Sequence, residues 1–135
     1  MKILGATAFL IVIALCKAEY SVKQNEKLEE SSVKCIEDLE LAKDSDIGKK
    51  FRYGELKEKD DVAKKFITCA MQKLNFMNEE GLILEDRIVE FLADNYEETM
   101  AKDVIEKCAK VQKETVAEKA TAFYDCFFLR KSFDI

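Results

Sequence analysis

Four cysteines, Cys35, Cys69, Cys108 and Cys126, constrain this chain more than any other feature. Each sits in an apolar pattern of helical period rather than in a loop, and all four follow a stretch with the character of a secretion signal. In an oxidising compartment an even set of cysteines persists as bridges, so the expectation is two disulfides clamping helices around a core. The residues alone leave three pairings open.

The leader is read from its own chemistry. Met1-Lys2 supplies a positive start, the run from Ile3 to Leu15 is apolar or small, and Cys16-Lys17-Ala18 puts small residues where a signal peptidase reads. The expected division is a secretory signal over residues 1–18, taking Cys16 with it, and a single domain over residues 19–135, secreted to the extracellular space. An apolar run of about 13 residues falls short of the roughly 20 needed to span a bilayer, so no permanent anchor is expected.

Charge and composition narrow the partners and the fold. Removing Lys2 and Lys17 from the 22 basic residues leaves 20 against 27 acidic ones, a net charge of about −7 that disfavours nucleic acid and stable association with anionic membranes. Proline is absent, only Gly48, Gly54 and Gly81 remain after the leader, and Lys, Glu, Ala and Leu abound. These preferences predict an all-α domain, a compact bundle of about six helices.

The helices follow from period and punctuation. The first is expected over about 21–42 with Leu28, Cys35, Leu39 and Ala42 on one face, and the second is capped by Asp44 or Ser45 and ends near Tyr53-Gly54. The third covers about 60–74 with Val62, Ala63, Phe66, Ile67, Cys69 and Ala70 inward, followed by a turn at Asn78-Glu79-Glu80-Gly81. The fourth covers about 85–93 with Ile88, Val89 and Leu92. The fifth covers about 99–114 with Met100, Val104, Cys108 and Val111 on one face, and the sixth about 117–130 with Ala120, Phe123, Phe127 and one edge of Tyr124 inward.

Catalysis finds little to work with in this composition. The chain contains no histidine, which excludes Ser-His and Cys-His dyads and the commonest metal ligand, and paired cysteines leave no nucleophilic thiol. Carboxylate pairs such as Glu29-Glu30, Glu79-Glu80 and Glu97-Glu98 read as solvated helix faces in a chain that is 36% charged. Asp44, Asp46 and Glu55 match positions 1, 3 and 12 of a calcium loop, but Gly48 falls one place before the glycine that loop requires. No enzyme activity, metal or cofactor is expected.

The cysteine intervals resemble those of the insect odorant-binding protein family, the pheromone and general odorant-binding group. In that family six cysteines lace six helices, three residues separating the second from the third and eight the fifth from the sixth. Cys35 matches the first, Cys69 the third, Cys108 the fourth and Cys126 the sixth, with 38 residues between Cys69 and Cys108, while Lys65 and Ala117 stand where the second and fifth belong. The chain thus looks like the four-cysteine, or minus-C, branch. The stretch Met77-Asn78-Glu79-Glu80-Gly81-Leu82-Ile83 is similar to the family's turn before its fourth helix. The resemblance implies bridges Cys35–Cys69 and Cys108–Cys126. Lys65, one turn after Asp61, reads as a solvated ion pair with it.

An aromatic interior is the remaining signal. Nine phenylalanines and four tyrosines serve either a packed core or a cavity of a few hundred Å³ that a small apolar ligand fills. The resemblance implies a lining from Leu84, Ile88 and Leu92 of the fourth helix, Ala101, Val104 and Ile105 of the fifth, and Ala122 and Phe123 of the sixth, with Phe66, Met77 and Phe127 added. The tail could fold over the mouth as a flap through Phe133 and Ile135, and Tyr53 or Tyr124 could offer a hydrogen bond. The expected function is therefore a secreted carrier of small hydrophobic molecules, odorants, pheromones or similar semiochemicals. Alternatives are a haemolymph or gland carrier of lipids and hydrophobic metabolites, and a secreted structural or interaction protein with a solid core. A homodimer and a receptor contact stay open as partners.

Overall fold

The computed structural model describes residues 20–131. The expected leader at residues 1–18 and the expected flap residues Phe133 and Ile135 lie outside the described residues. Six helices follow in order: α1 (Val22–Asp38), α2 (Ile47–Arg52), α3 (Asp61–Lys73), α4 (Glu85–Ala93), α5 (Glu98–Ala109) and α6 (Val116–Arg130).

The helix starts are chemically explicit. Ser21 opens α1 with a capping box: its hydroxyl accepts from the Gln24 amide at 3.2 Å, and the Ser21 amide donates to Gln24 Oε1 at 2.8 Å. Asp60 and Thr115 cap α3 and α6 by accepting from the Ala63 and Glu118 amides at 2.8 Å and 3.1 Å. Neither Asp44 nor Asp46 makes a cap for α2; the Ser45 hydroxyl accepts from the Ile47 amide at 3.3 Å.

Three helices end on one device. A residue in the left-handed region lets two amides turn back onto the last carbonyls: Gly54 (φ 73) after α2, Asn75 (φ 64) after α3 and Glu40 (φ 54) after α1. At α1 the Glu40 amide donates to the Glu37 carbonyl and the Leu41 amide to the Ile36 carbonyl, so the helix stops four residues before the expected Ala42, which is exposed. Helix α5 also stops early, at Ala109 rather than near Glu114. Its buried face keeps Val104 and Cys108 of the expected stripe and adds Ala101 and Ile105, while Met100 and Val111 are only half-buried. Val62 was expected inward and is exposed, because α3 already fills its inner face with Ala63, Phe66, Ile67, Ala70 and Met71.

Packing divides the bundle into two groups that meet at α6. Helix α1 packs on α2 and α3, α3 on α6, and α4 on α5, which returns to α6. The bridge Cys35–Cys69 staples α1 to α3, with Cα atoms 5.9 Å apart, and Cys108–Cys126 staples α5 to α6, with Cα atoms 5.6 Å apart. Helix α2 wedges against α1 so closely that a Cβ on Gly48 would lie 2.6 Å from Ser32 Oγ. Lys59 ties the loop before α3 to α6: it donates to the Leu56 carbonyl, pairs with Asp125 at 3.0 Å and lies 5.6 Å over the Tyr124 ring. Lys65 is exposed, but no ion pair joins it to Asp61 among the described residues.

Candidate ligand-binding site

Where α6 crosses between the two groups, the side chains leave a hollow of about 60 Å³. Five stretches of chain build it. Tyr20 and Leu28 come from α1 and its approach, Phe51 and Arg52 from the end of α2, and Met71 and Phe76 from the end of α3 and the turn after it. Ile88, Phe91 and Leu92 come from α4, and Phe123, Tyr124, Phe127 and Phe128 from α6. The volume is well below the few hundred Å³ expected, since the aromatic rings lean on one another instead of standing apart. Phe51 stacks on Tyr124 with centroids 5.1 Å apart, Tyr124 tilts against Phe128 at 5.0 Å, and Phe128 meets Phe127 edge-on at 5.0 Å.

The two phenols at this wall are already engaged with backbone. Tyr124 donates to the Phe51 carbonyl at 2.7 Å, and Tyr20 donates to the Arg52 carbonyl at 2.6 Å, so both phenols bond carbonyls at the C-terminus of α2. Burial pushes both phenols well above their ordinary value of 10.0 and keeps them neutral. Arg52 spans outward: Nη1 donates to Asn25 at 3.1 Å and Nη2 to Glu29 at 2.8 Å. Its Nε is buried with no acceptor among the described residues. Hydrocarbon, neutral phenol and one guanidinium make a wall that can desolvate an apolar guest and offer it a hydrogen bond.

Of the lining expected from the sequence, Ile88, Leu92, Phe123 and Phe127 meet around this hollow. The others sit elsewhere. Ala101, Val104 and Ile105 are buried on α5, which contributes nothing to the hollow because it packs between α4 and α6. Phe66 is fully buried behind Phe51, edge-on at 5.8 Å. Met77 is held in a bridge to Ile83, Leu84 occupies the half-buried start of α4, and Ala122 is half-buried on α6. Tyr53 packs on Tyr20 at 5.9 Å and does not reach the hollow.

Tyr124, expected to offer a hydrogen bond, is part of the wall, whereas sequence reasoning missed Tyr20, Leu28, Phe51, Arg52, Met71, Phe76, Phe91 and Phe128. Two carried a readable signal: Phe91 lies at helical spacing from Ile88, and Phe128 follows Tyr124 by one turn. Tyr20, just beyond the expected leader, carried none.

The chain and its helical fold have counterparts among known proteins. A profile of the PBP/GOBP family matches residues 17–129, and the chain belongs to that family, whose members bind small hydrophobic ligands. It is 28% identical over 136 residues to odorant-binding protein 10 of the mosquito Aedes aegypti, an alignment covering 97% of this chain and 95% of that protein. Its fold is similar to a solved structure titled fatty acid binding protein OBP56a, from the oral disk of the blowfly Phormia regina. That match has a TM-score of 0.65 at 19% identity and covers 81% of this chain and 92% of the other.

Proposed function

We propose that this protein is a secreted, four-cysteine member of its family that reversibly carries small hydrophobic molecules, odorants, pheromones or similar semiochemicals, through aqueous fluid. The observation that carries this reading is the hollow itself, walled by rings and aliphatic side chains from α1, α2, α3, α4 and α6. Binding is an equilibrium without bond chemistry. A guest sheds its water, gains dispersion contacts with the wall, and gains about 0.8 kcal/mol per buried methylene. A ten-carbon guest then reaches roughly micromolar affinity after association costs.

A hollow of about 60 Å³ does not hold such a guest as it stands. Entry requires side chains at its margin to swing aside, and the half-buried Phe76, Phe91 and Phe128 have the freedom to do so. The proposed contacts are the residues around the hollow, with Leu28, Met71, Ile88, Leu92, Phe123 and Phe127 as the apolar floor. The same small volume supports a second reading, a secreted interaction protein with a solid core. Fluorescence titration with a naphthylamine dye separates the two. The carrier binds the dye at one site and releases it to aliphatic alcohols or terpenoids of about ten carbons, whereas a solid core shows no saturable signal.

A further inference from the structure

The hollow has an outer neighbour. A cleft of about 690 Å³ runs between α1 and α4, past the end of α3, and Phe76 and Phe91 line both spaces. Their rings meet edge to face with centroids 5.1 Å apart, and both are half-buried, so together they are a wall between the apolar interior and the outside. That wall belongs to the least fastened seam of the bundle. Neither disulfide touches α4, which packs on α5. Its fastenings to α1 sit at one end: Gln24 Nε2 donates to the Phe91 carbonyl at 2.8 Å, and Ser21 Oγ donates to Asp94 at 2.5 Å.

The charge in this cleft opposes that of the whole chain, which is −5. Five cations line it, of which Lys34 is held by Glu30 at 3.0 Å and Lys73 by Asp38 at 3.2 Å. Lys23, Lys27 and Arg87 have no ion-pair partner among the described residues, and against them stand Glu90 and Asp94, the latter also accepting from the neutral Ser21 hydroxyl, so cations stay in excess. Lys23 and Lys27 stand one turn apart on α1, a like-charge spacing that disfavours the helix. Lys23 also occupies the first turn, where the helix dipole favours an anion, and no acidic residue stands there. Both placements cost the free protein stability, and an anion between them removes the cost.

We propose that the cleft is a head-group subsite and the Phe76–Phe91 pair the entrance for a single-chain carboxylate amphiphile. The alkyl tail passes between the two rings into the hollow while the carboxylate stays outside on Lys23, Lys27 and Arg87. This rests on the carrier reading above, and it assigns a ligand class that the apolar wall alone does not select.

Displacement of a naphthylamine dye by decanoate, methyl decanoate and decanol tests it, on the full secreted chain and on a Lys23→Glu/Lys27→Glu variant whose changes lie at exposed positions. The wild type should bind decanoate roughly three- to tenfold tighter than the ester or alcohol at low ionic strength, an advantage that shrinks with added salt. The variant should lose that advantage and bind decanol unchanged. Equal affinities in the wild type, or an advantage the variant keeps, overturn the head-group assignment and leave the carrier reading standing. No displacement by any of the three, with circular dichroism showing both proteins folded, overturns both. For the entrance, Phe91→Ala and the milder Phe76→Leu should speed association of decanoate several-fold in stopped flow, and an unchanged rate in both folded variants overturns that part.

Discussion

At the residue scale, the groups that matter most are polar ones placed where water cannot reach. Gln24 is 1% exposed, yet its amide is used at both ends, closing the α1 cap and bonding the Phe91 carbonyl. Gln24→Ala should cost about 1–3 kcal/mol in chemical denaturation, since it strands a buried carbonyl and opens the cap together. The buried phenols give a second test. Because Tyr20 and Tyr124 have folded pKa values above their ordinary 10.0, the native state holds these protons more tightly than the unfolded chain does. Their contribution to stability is complete below about pH 10 and is lost as pH rises beyond it, so the denaturation midpoint should fall steeply only above that pH. Phenolate absorbance for these two tyrosines should then appear together with unfolding. Such roles were hardly written in the sequence: a glutamine one turn into a charged helix gives no sign that its amide will meet a carbonyl 67 positions away.

At the element scale, the staples and the helix ends decide how much of the fold a reader of the sequence could reach. The helical period led to six helices, because apolar period is a direct imprint of packing, whereas the residues alone left three cysteine pairings open and only the family resemblance implied the two bridges found. Gly54 announced the end of α2, whereas Glu40 concealed the end of α1, a glutamate in the left-handed region being disfavoured locally and held by Leu41 and Ile36 packing on the core. Loops of 34 and 18 residues closed by the two bridges are worth about 3 to 4 kcal/mol each in the chain-entropy treatment. Replacing Cys108 and Cys126 together by serine should therefore lower unfolding free energy by about 3 kcal/mol, and the Cys35/Cys69 pair by slightly more. Since neither bridge reaches α4, hydrogen exchange should show α4 opening at lower free energy than α3 or α6, in the oxidised protein as well as the reduced one.

At the scale of the whole molecule, the class of fold was readable and the size of its interior was not. Cavity volume depends on ångström-level approach between side chains, here four aromatic rings closing on each other, which no period or count encodes. The family resemblance placed part of the wall on α5, but α5, packed on α4 and α6, contributes none of the residues around the hollow. Enlarging the hollow should expose its purpose: Leu92→Ala should destabilise the fold by about 2–5 kcal/mol yet admit bulkier guests, read by thermal denaturation with and without ligand. With no histidine in the chain, affinity for a neutral guest should change less than about twofold between pH 6 and 8. The decisive experiment is a methyl-detected NMR titration of the protein with decanol. Binding inside the bundle predicts saturable shifts at Leu28, Met71, Ile88 and Leu92 with the helices intact; shifts confined to exposed methyls such as Val22 and Leu129, or none at saturating alcohol, would contradict it.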